Sequence, residues 1–569
     1  MTAIPSACER LSPSGAFRST ALLALLTVLL CGIATPAGGA LAPVDAASTD
    51  DDPIVERATV ERLDDGAIEA ELRYEIPDGV SAFEFSIVGA EPTVTETDGF
   101  ERTGEATFEW TGRGNGGTVV VQYAVDEAFH HDATHDRPFD GGDDWAVTVR
   151  PTTQSSWQFV GDNPDLEQTF EVSGDGVAGE RLALLGPHEL FETAVEGERI
   201  RLAVPDAAET RDGPEAILSA VEDAAELPIG ERSDSVLLIA APEDGTQWTP
   251  TGLAIGPDAR IAADVPATGA RNVWIHEYVH TRQRVSATAD DTRWLIEGSA
   301  DYYAALASLE RGDVDYDAFH DTLARGTDPA VEDAILADED SWRGTQADYW
   351  KGALVAGAID LQIRTATDGE LTFAAVMRAW NRADDGEFDA DAFESVIEEI
   401  AGTEAREFAS QHTRTEATPE PWDEPTHADR FDGYVPPGPP TVVGIDVYPG
   451  QPIAGDEVTI SVTTEAPDDR RAAGTVPVTV DGAVLAVIEI ELAAGESRTD
   501  DVSTTFDPGE YVIAAGDQSV TIDVEGDPDA APSNRTTPTP VHPLEDQAGF
   551  GVAVAVGAAS IAALRRLHQ

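Results

Sequence analysis

A chain carrying 107 aspartates and glutamates against 35 lysines and arginines folds only if nearly all of that charge ends at the surface, because unpaired buried carboxylates are prohibitively costly. The formal net charge is -72, which repels phosphate backbones and anionic lipid and excludes nucleic acid as a partner. The acid runs along the whole length and is not gathered in one tail. That distribution fits a surface adapted to molar salt, where the Debye length shrinks to roughly 3 Å and self-repulsion is screened. Aliphatic and aromatic residues make up 41% of the 569 residues, enough for cores in three or four folded units. Lysine has been purged almost completely. The one that stays, Lys351, implies an ion pair or hydrogen bond that arginine's planar fork cannot reproduce, with a partner the sequence does not name.

Both cysteines, Cys8 and Cys31, fall inside an N-terminal segment that reads as an export signal over residues 1–42: Arg10 and Arg18, an apolar run from Ala21 to Ala34, then small residues. Cleavage would leave a mature protein with no thiol chemistry. At the other end, residues 548–566 hold an apolar run from Gly549 to Leu564 followed by Arg565 and Arg566, which reads as a membrane helix with a cytoplasmic stop. This end resembles the C-terminal sorting tails of archaeal surface proteins, with Ala548-Gly549-Phe550 departing from their Pro-Gly-Phe at its first residue. The two ends together imply an exported protein held on the outer face of the cytoplasmic membrane. A Pro/Thr-rich stalk over 526–547, with the sequon Asn534-Arg535-Thr536, would precede the anchor.

Between the ends the expected class is multidomain α+β. Residues 52–185 alternate apolar and polar positions between glycine turns, as at Ala106, Phe108 and Trp110, and read as a β-sandwich-like domain. Residues 190–415 open with strand-like runs (Ser235 to Ala241, Thr251 to Ala262) and turn helical from about Thr268. Seven prolines among many acids mark 416–440 as a linker. Six period-two runs over 441–525 read as an immunoglobulin-like sandwich.

The chemistry concentrates in two helices. The spacing predicts a helix over Arg271 to Val285, capped by Thr268, carrying His276-Glu277-Tyr278-Val279-His280. Four-residue spacing sets both imidazoles on one face for a single cation, and Glu277 stands beside the open coordination position. A second helix from about Asp291 carries Trp294-Leu295-Ile296-Glu297-Gly298-Ser299-Ala300-Asp301-Tyr302-Tyr303. Glu297, 17 residues beyond His280, can return as a third ligand. Asp301, one turn further, can accept the free ring N–H of a ligating histidine. His130, His131 and His135 form a further cluster, read as a polar loop with a second metal site as its alternative.

These blocks, with Asp348-Tyr349-Trp350-Lys351-Gly352 after them, resemble the glycyl aminopeptidase family of gluzincins and, more distantly, aminopeptidase N. The resemblance covers roughly 190–400 and implies a thermolysin-like α/β catalytic domain. It also implies Zn2+ on His276, His280 and Glu297, a peptide or protein substrate, and Glu277 as the base that deprotonates the attacking water. Tyr349 would donate to the developing oxyanion, with a core-packing aromatic as the alternative. One departure stands out. The stretch Thr251-Gly252-Leu253-Ala254-Ile255-Gly256 lacks the glutamate with which these aminopeptidases hold a free amine, so exopeptidase and endopeptidase action both stay open. A catalytically silent peptidase-fold surface or binding protein is the competing reading.

Overall fold

The computed structural model describes residues 52–526, apart from 90–91, 126–138, 244–247, 249, 432–433, 435 and 468–469. The export signal, the stalk, the C-terminal apolar segment and the cluster His130, His131 and His135 therefore lie outside the described residues. Among the described residues no helix is long and apolar enough to cross a membrane.

The N-terminal part is all β. A five-stranded sheet (order 166–172, 54–62, 68–75, 116–123, 93–98) faces a four-stranded one (152–159, 80–88, 107–110, 100–102). Tyr74, Phe83, Phe85, Phe100 and Phe108 pack between them, all buried. These are the inward positions of the alternating strands, as period two requires. A third, four-stranded sheet (176–178, 182–185, 146–149, 140–141) leads on to the next domain.

The following sheet has the order His188–Val195, Glu198–Pro205, Ser235–Ala241, Asp258–Ala262, Gly252–Ile255. Its middle strand explains its own sequence. Val236, Leu238 and Ala240 enter the core under the helices, whereas Leu237, Ile239 and Ala241 enter the core of the β domain. A strand covered on both faces is a continuous apolar run. Asp258, fully buried, ties the two layers by accepting from the backbone N–H groups of Arg181 (2.6 Å), Leu182 (2.9 Å) and Leu237 (3.2 Å). The run expected as one strand from Thr251 to Ala262 is a hairpin, broken by a turn in which Gly256 has φ 58°. Its first arm, Gly252–Ile255, is the edge of the sheet.

Nine helices follow the chain among the described residues: α1 (Pro214–Ala225), α2 (Val273–Thr281), α3 (Trp294–Arg311), α4 (Tyr316–Ala324), α5 (Glu339–Trp342), α6 (Ala347–Ala366), α7 (Ala374–Trp380), α8 (Ala390–Arg414, interrupted at Gly402) and α9 (Glu424–Arg430). Helix α2 is shorter than the expected Arg271 to Val285, and its cap is Asn272, not Thr268. The Asn272 side chain accepts from the N–H groups of Trp274 (3.0 Å) and Ile275 (3.2 Å), so the helix cannot begin earlier. Helices α3 and α6 cross where Gly298 meets Gly352. A Cβ on Gly298 would stand 2.7 Å from the Gly352 carbonyl carbon, so any side chain there would push the helices apart.

The stretch 416–440 is not a free linker. Trp422, His427 and Phe431 are buried against the helical core, with the His427 and Phe431 rings stacked at 4.0 Å and the Arg364 guanidinium 4.3 Å from the Phe431 ring centre. Proline and acid dominate its composition, but three aromatics anchor it as a strap.

The last described domain is a sandwich of a three-stranded sheet (441–448, 457–465, 497–505) and a four-stranded one (483–492, 472–480, 509–515, 518–524). It has seven strands among the described residues, one more than the sequence displays. Ser497–Thr505 alternates exposed and half-buried positions without a strong apolar face, which hid it.

Candidate active site

Helix α2 is held before any ligand is considered. Tyr278 donates to Glu198 Oε2 (2.5 Å) and accepts from Arg282 (3.1 Å), whose guanidinium also donates to the carbonyls of Gly230 (2.7 Å) and Glu231 (3.1 Å). This fixes the rotation of α2 so that His276 and His280 face α3. The α3–α6 crossing at glycine then brings Glu297, next to Gly298, against them.

Three donor atoms converge. His276 Nε2 is 3.0 Å from His280 Nε2, and Glu297 Oε2 is 3.2 Å from the first and 3.3 Å from the second. A tetrahedral cation with ligands at about 2.0–2.1 Å separates its ligand atoms by about 3.3 Å, so the spacing fits zinc. The outer partners decide the protonation. His276 Nδ1 lies 2.8 Å from Asp301 Oδ1, and His280 Nδ1 lies 2.8 Å from Gln283 Oε1. Gln283 is oriented because its amide nitrogen donates to Ile296 O and Ser299 Oγ, both at 2.9 Å, leaving its oxygen for the imidazole. Each ring nitrogen facing outward is thus a donor, and both Nε2 atoms present lone pairs to a carboxylate oxygen. Such an arrangement needs a positive species at its centre. Burial alone would lower both imidazole pKa values, but Asp301 and Glu297 raise that of His276 and Glu297 raises that of His280. Burial would raise the Glu297 carboxyl, and the two histidines overcome it and hold it well below its ordinary value. A divalent cation on these three atoms would take the place of the protons and leave both histidines neutral. Two nitrogens and one oxygen suit zinc.

Glu277 is almost fully buried, and its carboxylate packs on the edge strand: a Cβ at Gly252 would fall 2.1 Å from Glu277 Oε1. Only glycine at 252 leaves room for this carboxylate. Burial raises its pKa, opposed by His280 and His276. On the other side, the Tyr349 ring lies parallel to His276 with centroids 6.0 Å apart. Burial, then the charges of Glu297 and Asp348, push its hydroxyl far above the usual range, so it stays a proton donor.

The structure thus gathers His276, Glu277, His280, Glu297, Asp301 and Tyr349 at one place. Sequence reasoning missed Gln283, which stands just past the C-terminal end of α2; its signal was a polar side chain three residues after His280. We expect Gln283→Ala to weaken zinc affinity about 10-fold or more, measured by chelator competition, without unfolding the chain. An unchanged affinity would show that His280 needs no such support. Lys351, by contrast, lies outside this cluster. Its Nζ donates to the carbonyls of Glu332 (2.7 Å), Ala334 (2.7 Å) and Glu416 (3.0 Å).

No family model matches this sequence, and no curated protein sequence matches it. Among solved structures the chain is similar to a variant of an M1 zinc metallopeptidase from Deinococcus radiodurans, at 15% identity and a TM-score of 0.44, over 65% of this chain and 96% of that one. It is also similar to an aminopeptidase N family protein from Idiomarina loihiensis, at 14% identity and a TM-score of 0.42, over 82% of this chain and 95% of that one.

Proposed function

We propose that this chain is a zinc-dependent peptidase that cleaves extended polypeptides at internal bonds. The observation that carries the reading is the meeting of three lone pairs from His276, His280 and Glu297, with the far side of each ring locked by Asp301 or Gln283. Zinc held there supplies Lewis acidity toward the attacking water and the scissile carbonyl. Glu277 removes a proton from that water and later delivers it to the leaving amine, a role favoured by its buried, raised pKa. The Tyr349 hydroxyl donates to the oxyanion that develops on the carbonyl. Substrate adds its main chain to the edge strand Gly252–Ile255, beside Glu277.

Internal cleavage is favoured by what stands at that edge. No acid lies in Thr251 to Gly256 to hold a substrate ammonium. Behind the strand, fully buried Arg260 donates to the carbonyls of Pro250 (2.7 Å) and Thr251 (3.0 Å) and sits 4.8 Å from the Trp248 ring centre. These contacts fix the start of the edge strand, and the Glu277 carboxylate offsets the Arg260 charge. Export and anchoring on the outer face of the membrane complete the proposal and rest on residues 1–42 and 548–566. Cell fractionation with and without 548–569 tests that part: protein still in the membrane after truncation removes the anchor.

The enzymatic reading is tested by digesting a peptide library with free and acetylated N-termini at high salt, alongside metal analysis. We expect one equivalent of zinc, cleavage of both peptide sets, and loss of zinc and cleavage in His276→Ala. Cleavage confined to free N-termini would make the chain an aminopeptidase. Zinc without cleavage would leave a silent peptidase-fold surface or binding protein.

A further inference from the structure

Further along α3 from Glu297, that helix walls a cavity of about 440 Å³ together with the end of α1, Arg364 of α6 and the start of α7. We infer that this cavity binds a small zwitterion of the amino-acid type, with its carboxylate on Arg364 and Tyr303 and its ammonium on Glu226 and Glu310. The inference is independent of the peptidase reading.

The floor of the cavity is polar and incompletely paired. Tyr303 is 3% exposed, and its hydroxyl has no hydrogen-bond partner among the described residues. A buried hydroxyl left unpaired costs stability unless something else meets it. Beside it, Arg364 is buried, and its Nε donates to Asp360 Oδ2 at 3.0 Å. Its terminal amino groups have no acceptor among the described residues, although the side chain lines the cavity. A hydroxyl and a guanidinium edge side by side form a carboxylate receptor.

The rim carries the opposite sign. Arg311 is taken up by Asp223 and by Asp313 (2.8 Å). Glu226 and Glu310 lie at the cavity with no ion pair among the described residues, and burial of its carboxyl pushes Glu310 up to about 7 against the pull of Arg364. A simple anion is repelled by this rim, and a simple cation leaves the Tyr303 hydroxyl and the outer guanidinium N–H groups without an acceptor. A ligand with both charges satisfies both ends, and Leu306 and Ala307 offer its side chain an apolar wall. The cavity volume lies in the range of small-molecule sites.

Calorimetric titration of the full chain at high salt tests this, with L-leucine, N-acetyl-leucine, leucine amide and trimethylglycine as ligands. We expect leucine to bind, and each singly blocked form to bind at least about tenfold more weakly, since each loses one charged contact. Trimethylglycine separates an amino-acid site from one for zwitterions in general: binding equal to leucine's assigns the wider class, and weaker binding the narrower. Tyr303→Phe should weaken leucine about tenfold, and Ala307→Phe should abolish binding by filling the cavity, while His276→Ala leaves it intact. Equal binding of the blocked forms would overturn the inference. So would a leucine affinity unchanged in Tyr303→Phe, or one lost in His276→Ala, which would assign the ligand to the zinc centre. Should Ala307→Phe not fold, Tyr303→Phe decides alone.

Discussion

Glu277→Gln is expected to retain its full equivalent of zinc and to lose about 10²–10⁴-fold in turnover. The three ligand atoms belong to other residues, and the amide is close to isosteric with the carboxylate, so it fits the space left by Gly252. What disappears is the group that accepts a proton from water and returns it to the amine. Parallel metal analysis and steady-state kinetics read the two quantities separately. Undiminished kcat with zinc still bound would remove Glu277 from the chemistry. Loss of zinc would show instead that Glu277 supports the ligands, and the role of base would need another owner.

The second large effect is on stability. Lys351 is fully buried and gives its ammonium to three backbone carbonyls from two separate segments, one of them the start of the strap. Three N–H bonds spread around one point match three converging acceptors, whereas a guanidinium presents its donors in a flat fork. This is the physical reason a single lysine persists where every other basic residue is arginine or histidine. Lys351→Met leaves those carbonyls without their donor and is expected to cost about 3 kcal/mol. For a domain of this size that lowers Tm by about 6–12 °C in a thermal scan. Lys351→Arg should recover less than half of the loss. A Tm unchanged in Lys351→Met would mean that the strap is held by its aromatics alone.

The legible parts of this molecule are those fixed by local periodicity. His276 and His280 share a face because a helix turns every 3.6 residues, and Asp301 follows Glu297 by one turn for the same reason. The double-sided strand Ser235–Ala241 announces its burial as an unbroken apolar run. What stayed hidden depends on where the chain goes after an element ends. Gln283 reaches His280 from beyond the C-terminus of α2, and its amide is aimed by Ile296 and Ser299 on another helix. No spacing rule reports that. The strap was misread because proline and acid outnumber Trp422, His427 and Phe431, yet those three rings decide its position. Ser497–Thr505 escaped because an edge of the sandwich asks little hydrophobicity of it. The partner of Lys351 could not be read at all, since main-chain oxygens carry no sequence signature.

The shared strand has a practical corollary. Leu237, Ile239 and Ala241 turn away from the helices that carry His276, His280 and Glu297 and into the core of the preceding β domain. Excising residues 52–185 would therefore strip the back of the very sheet on which the chemistry is mounted, leaving a greasy wall facing water. Whatever trims this polypeptide in nature or in the laboratory, its smallest working piece has to keep both halves.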